Sequence, residues 1–428
     1  MAQTLKFGNK TWATKVGSTL AYNDENGNYK PLPFAFTRST SATRVNKEGL
    51  IEVVTNDRPR IDYTDTSDGV LLLENAATNL IAYSEDFSNV YWSKLNTTIN
   101  LNTSTSPDGT TNASLIYPTT SGTDRLLEKT LSATTGQVWT SSFFVKASGF
   151  DWVLIYAPNL GTCWFNATTG VFGNVNSSVT ARVLGQVNGF WRISLTGTLN
   201  SSGVYFYAGV ADLNGTTFAT TSGTNGIYIF GAMLEQNSVA SSYIPTQGSA
   251  STRVAETASG SGNSEVFNDS EGVLFVDTAA LSDDGTSRRI SVSDGSSNPN
   301  NLVCLDMSEY TNTIIGRIRT SNSEVAFLQS TSQKQTQKNK IAVKYKVNDF
   351  ALWINGFEVD TDNNGAVPIG LNDISFDRGN GSNDYYGKTK EIGYYNTILT
   401  DLELETLTSY KSWTSMVNEL NLNIIYNG

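Results

Sequence analysis

The hydrophobic pattern along this chain runs mostly with a period of two. In 340–360, Ile341, Val343, Tyr345 and Val347 alternate with Ala342, Lys344 and Lys346. A turn pair, Asn348-Asp349, follows; then Phe350, Leu352 and Ile354 alternate with Ala351 and Trp353. Asn355-Gly356 supplies the positive φ of a type I′ turn before Phe357 and Val359, so the stretch predicts a three-strand meander. Strand signals run continuously from 83 to 246. The runs 139–146 and 152–156 are aromatic and β-branched, the residues that fill pleated, half-buried surfaces. Residues 163–166 and 171–172 flank Ala167-Thr168-Thr169-Gly170, which predicts a hairpin loop. Asn188-Gly189 predicts a tight turn leading into Trp191, Ile193 and Leu195, which alternate with Arg192, Ser194 and Thr196. Residues 227–234 are apolar at both parities, which predicts a strand buried on both faces.

Three stretches depart from this pattern. Residues 1–82 hold a turn signal at 23–27, breaks at Pro31 and Pro33, and short strands at 50–54 and 70–73. That is too little apolar material for a core of its own, so the segment is expected to dock on something else. Residues 249–264 are rich in Ser, Gly, Ala and Thr, a linker composition. Near the C-terminus, Thr400 with Glu403 forms a capping-box signature opening one helix, 401–418, with Leu407, Tyr410, Trp413 and Val417 on one face. The expected architecture is all-β. It has an N-terminal docking segment (1–82), a jelly-roll sandwich (83–248), a linker (249–264), and a second, lectin-like sandwich with a short C-terminal helix (265–428).

Composition narrows the function. Only 16% of the 428 residues are charged, so the polar surface comes from Ser, Thr, Asn and Gly. The net charge of −11 disfavours nucleic-acid binding and contact with anionic membranes. The one basic cluster, Lys334, Lys338, Lys340, Lys344 and Lys346, reads as a solvated strand face and its preceding loop. Cys163 and Cys304 read as small buried hydrophobes, not a disulfide pair. No apolar run is of signal-peptide length near the start or long enough to span a bilayer, so synthesis in a cytosol without membrane insertion is expected. There is no histidine, which removes the commonest general base and metal ligand. No cofactor and no enzymatic activity are expected. A carboxylate-pair depolymerase is the enzymatic alternative, but the repeat architecture such enzymes usually show is absent.

Three sets of residues resemble a family of tailed-bacteriophage structural proteins. The first is Phe36-Thr37-Arg38-Ser39-Thr40-Ser41-Ala42-Thr43-Arg44-Val45 with Gly49-Leu50-Ile51 and Asn56-Asp57-Arg58-Pro59-Arg60-Ile61-Asp62-Tyr63. It continues in Leu71-Leu72-Leu73-Glu74, Ala77-Thr78-Asn79-Leu80 and Tyr83-Ser84-Glu85-Asp86-Phe87, and resembles the entry segment of phage head-spike and tail-fibre proteins. The second, Phe230-Gly231-Ala232-Met233-Leu234-Glu235 leading to Ser242-Tyr243-Ile244-Pro245-Thr246, is similar to the closing strand of a carbohydrate-binding-module-like jelly roll. The third, Leu352-Trp353-Ile354-Asn355-Gly356 with Gly387-Lys388-Thr389-Lys390-Glu391-Ile392 and 396–402, resembles a concanavalin A-like (laminin-G-like) sandwich with its trailing helix. The resemblance implies a fibre or spike subunit on the virion surface, often a homotrimer. Its partners would be capsid, portal or tail proteins and a host cell-surface glycan; the alternative is a purely structural head fibre or decoration protein.

Candidate sites follow from side-chain chemistry. Aromatic faces stack on sugar rings, and Trp92, Trp139, Trp152, Trp164, Trp191, Trp353 and Trp413 are available, although most are expected in cores. Tyr385 and Tyr386, in a polar Gly/Asn/Asp loop, are expected to be exposed and, with Trp353, are the ligand-binding candidates. Asp360, Asp362 and Asn364 before Gly365 match the opening of a calcium loop, but Leu371 stands where its closing carboxylate belongs, so an ordinary polar turn is the simpler reading. Arg38, Arg44, Arg58 and Arg60 are candidates for docking to particle proteins, or alternatively for internal ion pairs.

Overall fold

The computed structural model describes residues 4–20, 32–123, 126–157, 159–221 and 223–420. The turn signal at 23–27 and the break at Pro31 lie outside the described residues. The fold is all-β, with β-sandwiches and short C-terminal helices, as the period-two pattern requires.

The jelly roll is built from two antiparallel six-stranded sheets. Its front sheet runs Ser93–Leu95, Leu126–Leu131, Val204–Ala211, Trp152–Ala157, Gly161–Asn166, Val171–Val175. Its back sheet runs Thr97–Ser104, Ala113–Pro118, Gly226–Glu235, Val138–Ser148, Phe190–Thr198, Val179–Val187. Phe143, Val153, Phe165, Ile193, Phe206 and Ile229 meet between the sheets in one core. Gly226–Glu235 is buried along nearly its whole length, as its double apolar parity predicts. It is also bulged: Ser142 faces Met233 while Phe144 faces Phe230, and Gly231 takes φ +65° at the extra position.

The second sandwich pairs an eight-stranded sheet with a five-stranded one. The meander is present as Asn339–Lys346, Phe350–Ile354 and Phe357–Asp362. Asn355 and Gly356 both adopt positive φ, as the type I′ turn demands. The other turn sits one residue earlier than expected, closed by the Asp349 amide on the Lys346 carbonyl, with Asn348 at φ +58°.

The described part of residues 1–82 docks on its own chain. Leu5–Gly8 and Val70–Leu73 pair with Gly387–Tyr395, and Arg60–Asp62 extends the sheet beyond Val70–Leu73. Phe7, Phe34, Phe36, Ile61 and Leu71 share one core with Leu274, Val343 and Tyr394. This explains how a segment too poor in apolar residues for its own core is nonetheless ordered: it completes another one. The expected linker is likewise not bare. Ser251–Arg253 pairs with Ala77–Asn79, and Thr257–Ser259 pairs with Phe34–Thr37, which carries Arg253 and Glu256 inside, where their charges must be paired. The strand pair Ala77–Asn79 and Ser251–Arg253 thus gathers the two ends of the jelly roll where it leaves the rest of the chain.

The expected single helix is two. Helix α1 (Asp401–Thr408) has the full Thr400–Glu403 capping box. It stops because the chain turns extended at Ser409, where Lys340 Nζ donates to the Ser409 carbonyl and the Tyr410 hydroxyl reaches the Lys338 carbonyl. Helix α2 (Trp413–Glu419) restarts from Ser412. The predicted shared face is lost with the break, and Trp413 is 65% exposed.

Candidate functional site

The first two resembling motifs converge on a buried junction. Glu256 accepts from Arg38 Nη1 at 2.6 Å, from Arg60 Nε at 2.8 Å and from the Glu74 amide at 2.9 Å. Its second oxygen also takes Arg60 Nη2. Glu74 binds Arg60 at 2.8 Å, Arg253 at 2.9 Å and the Ser242 hydroxyl at 2.6 Å. Burial opposes the charge on Glu74, but Arg253, Arg60 and the Ser242 donors overcome it and hold its carboxyl well below the usual range. Nearby, Asn79 is fully buried. Its amide donates to the carbonyls of Ala232 and Ile244, and its oxygen accepts from the amides of Ile81 and Leu234. These polar residues join the N-terminal segment to the jelly roll and to the chain that leaves it.

Docking to other proteins through Arg38 and Arg60 is therefore corrected: both are 1% exposed or less and committed inside the chain. Arg44 is partly buried against Glu52 at 3.3 Å and the Ile61 carbonyl at 3.2 Å. Arg58 alone of the four is exposed.

Tyr385 is corrected as well. It is 1% exposed, packs on Phe376 and shares a hydrogen bond with Thr278 at 2.6 Å, because its loop folds back onto the sandwich core. Tyr386 is partly buried and donates to Asp384. Trp353 lies beneath α1 with Leu404 and Tyr395 and is 6% exposed, so it offers no face to a ligand. Asp360 and Asp362 lie on a strand, where their carboxylates accept the backbone amides of Gln329, Thr361 and Asn364. No three-ligand acid, Cys or His group is found among the described residues. Trp92 and Trp139 are core, and Trp191 packs against that core.

The unclaimed chemistry lies on the outer face of the jelly roll's front sheet. Strand alternation drives Val153, Ile155, Phe206, Ala208, Val210, Cys163 and Phe165 inward. The opposite parity turns Trp152, Tyr156, Trp164, Tyr205 and Tyr207 outward, all partly exposed. Antiparallel register places Trp164 and Gly209 on either side of Leu154, and Asn166 and Ala211 on either side of Trp152. Leu154 and Ala211 are buried beneath the larger rings, so the small side chains make a floor and the aromatics its walls. Tyr207 stacks parallel on Tyr205 at 5.6 Å and tilts against Tyr156 at 5.4 Å. Glu128 stands opposite Tyr207 and Thr130 opposite Tyr205. Burial first, then the hydrogen-bonded Glu128 carboxylate, raise the Tyr207 pKa, so its hydroxyl stays a donor. Trp164 Nε1 is held on the Thr216 carbonyl at 2.6 Å. The loop bearing Thr216 is braced by Asn174 with Asn214 and by Asp212 with Thr220. This face combines rigid aromatic planes with a few carboxylate, amide and hydroxyl groups.

The back sheet offers no such surface. Its outer face packs Phe144, Val187, Phe190 and Phe230 against Val45 and Ile51 of the N-terminal segment. Trp152 and Trp164 were visible in the sequence as candidates among seven tryptophans. The three tyrosines were not singled out, although the alternation of Tyr205 and Tyr207 with Val204, Phe206 and Ala208 carried the signal.

No family model matches the chain, and no curated protein matches it. Among solved structures, the CBM40 module of Ruminococcus gnavus IT-sialidase is 15% identical, covering 35% of this chain and 94% of its own, with a TM-score of 0.30. The same module bound to α2,3-sialyllactose is 17% identical, covering 35% and 93%, also with a TM-score of 0.30. Domains LG4–5 of the mouse laminin α1 chain are 7% identical, covering 69% and 86%, with a TM-score of 0.16. At these scores the likenesses carry no argument about function.

Proposed function

We propose that the protein is a non-catalytic fibre or spike subunit of a tailed-bacteriophage particle that binds a host-surface glycan through the front face of its jelly roll. The observation that carries the glycan reading is the outward aromatic group of Trp152, Tyr156, Trp164, Tyr205 and Tyr207, set apart from the jelly-roll core. A contiguous apolar surface rimmed by polar groups marks an interaction site. The electron-rich ring faces suit the weakly positive C–H faces of a sugar, while Glu128, Asn166 and Thr130 offer partners for its hydroxyls. The particle assignment is supported by the motif residues at 36–87 and 230–246, and a homotrimer belongs to it on the same footing.

The test is binding of the purified, labelled protein to host cells and to their isolated surface polysaccharide. Saturable binding that polysaccharide competes away, and that Tyr156→Ala and Trp164→Ala each weaken about fivefold for roughly 1 kcal/mol of stacking, is the expected result. Absence of binding by the folded, assembled protein overturns the glycan reading in favour of a purely structural part. Antibody labelling of intact particles tests the virion location, and a monomeric mass in light scattering at micromolar concentration overturns the trimer.

A further inference from the structure

The front face of the jelly roll carries a charge pattern as well as an aromatic one. Trp152, Tyr156 and Trp164 lie within residues 147–181, and Tyr205 and Tyr207 within residues 193–252. Neither stretch contains a lysine or an arginine, although the chain has 29 of them, so the absence is local. The acids of the two stretches are Asp151, Asp212 and Glu235. Asp151 is exposed beside Trp152, Asp212 is partly buried at the loop that holds Trp164, and Glu235 is buried in the back sheet.

The other strands of the front sheet bring two lysines, and both are turned away from the face. Lys94 stands opposite Leu127, and Lys129 opposite Phe206, at the parity that faces the core. Lys94 Nζ donates to the carbonyls of Ser88 and Asn89 at 3.0 Å and of Trp92 at 3.3 Å. Lys129 Nζ sits 3.9 Å from the centre of the Tyr91 ring. Glu128 takes the other parity, opposite Ser93 and Tyr207, and is partly exposed. Among the described residues of these strands, Glu128 is thus the charged group on the outer face.

The hydrogen-bonding capacity has the same bias. Trp164 Nε1 is committed to the Thr216 carbonyl and the Tyr207 hydroxyl to Glu128. An ionised carboxylate only accepts, so Glu128 keeps lone pairs for donors from outside.

We infer, resting on the glycan reading above, that the front face selects uncharged polysaccharide and rejects chains bearing carboxylate, sulfate or phosphate groups. A sugar hydroxyl can donate to Glu128 while the C–H face of its ring lies on the aromatic planes. An acidic sugar calls for a guanidinium or ammonium partner, which this face does not present. It would instead set its charge beside Glu128, where like charges repel. The net charge of −11 adds long-range repulsion of a polyanion.

The test separates host-surface polysaccharide by anion exchange into an uncharged and an acidic fraction and titrates each into the full chain at low and high salt. The uncharged fraction should bind with about the same affinity at both. The acidic fraction should bind at least about tenfold more weakly at low salt and gain as salt screens the repulsion. Glu128→Lys should raise the low-salt affinity for the acidic fraction several-fold, and Glu128→Gln, which keeps the shape, should raise it less. Equal or tighter binding of the acidic fraction at low salt overturns the selectivity; if Trp164→Ala abolishes that binding, the glycan reading stands. Affinity for the acidic fraction that neither Glu128 variant moves in a folded protein also overturns the selectivity. Binding of neither fraction overturns the glycan reading and the selectivity together.

Discussion

Glu256→Gln probes the buried junction with almost no change in shape. Glu256 is 1% exposed and accepts from three residues: Arg38, Arg60 and the backbone of Glu74. Either orientation of a glutamine amide turns its NH2 toward two of those donors, Arg38 Nη1 and Arg60 Nε on one side or Arg60 Nη2 and the Glu74 amide on the other. Two buried donors then face a donor, at about 1–3 kcal/mol each. The same substitution leaves three buried arginines with Glu74 as their one carboxylate in the cluster. Removing one member of a buried ion pair costs about 3–5 kcal/mol, and the two routes agree.

The assay is urea denaturation followed by tryptophan fluorescence, with circular dichroism as a second probe. A fall of about 3–5 kcal/mol is expected, or roughly 3–6 °C in Tm for a chain of this length, with the proposed glycan binding retained at low temperature. The loss should be nearly the same at high and low salt, because screening acts weakly on buried charges. Adding Arg38→Met should restore part of it by removing one uncompensated cation. A loss below about 1 kcal/mol, or one that disappears in high salt, would refute a water-excluded cluster.

Glu74 gives a pH signature of the same junction. Its folded pKa is depressed, so its contribution is present above the ordinary carboxylate pKa and is lost as pH falls toward the folded value; Glu74→Gln should flatten the stability-against-pH slope below about pH 5 by one proton. Asp277 has the opposite sign. Burial pushes its pKa up to about 6, so stability falls as pH rises from about 4 through 6, and Asp277→Asn should be more stable at pH 7 by up to about 3 kcal/mol and lack that slope, as parallel melts would show. Trp353→Ala, beneath α1, should cost about 3–5 kcal/mol in denaturation and leave polysaccharide affinity unchanged, the reverse of Trp164→Ala. Gly231→Ala must force a positive φ and bring a methyl within 3.0 Å of Tyr243, so a loss of about 1–3 kcal/mol is expected in the same assay.

Local chemistry was the legible part of the fold. Asn188-Gly189, Asn355-Gly356 and the Thr400–Glu403 box work through neighbouring atoms, and each forms as its residues require. The alternation that built the meander and the front sheet is equally local, since each strand declares its inward parity without reference to its partner. What the chain could not declare is where a strand finds that partner. Leu5–Gly8 pairs with residues 391–394, and Thr257–Ser259 with 35–37. A Ser/Gly/Ala stretch reads as a linker because its backbone pairing across some 220 residues leaves no periodic trace. Arg253 and Glu256 were the exception within it, two opposite charges in a stretch of small residues, and the fold buries both.

The same limit explains the site residues. Tyr385 was judged by the polarity of its loop, but a loop's composition describes its solvent side, and one aromatic within it is as well placed to plug the core below. For Arg38 and Arg60 the sequence leaves docking and internal ion pairing equally open, because a buried arginine needs carboxylates to meet its cost, and those come from elsewhere in the chain, which sequence proximity does not reveal. The front face escaped notice for the converse reason. Its aromatics sit on three strands separated by as many as 50 residues, and each strand alone looks like ordinary core material. Only the register, which sets Tyr207 against Tyr156 and Leu154 beside Trp164, turns five separate rings into one surface. An aromatic surface on a sheet is therefore a property of strand order, and its sequence trace is an excess of aromatics at the parity that the core does not use.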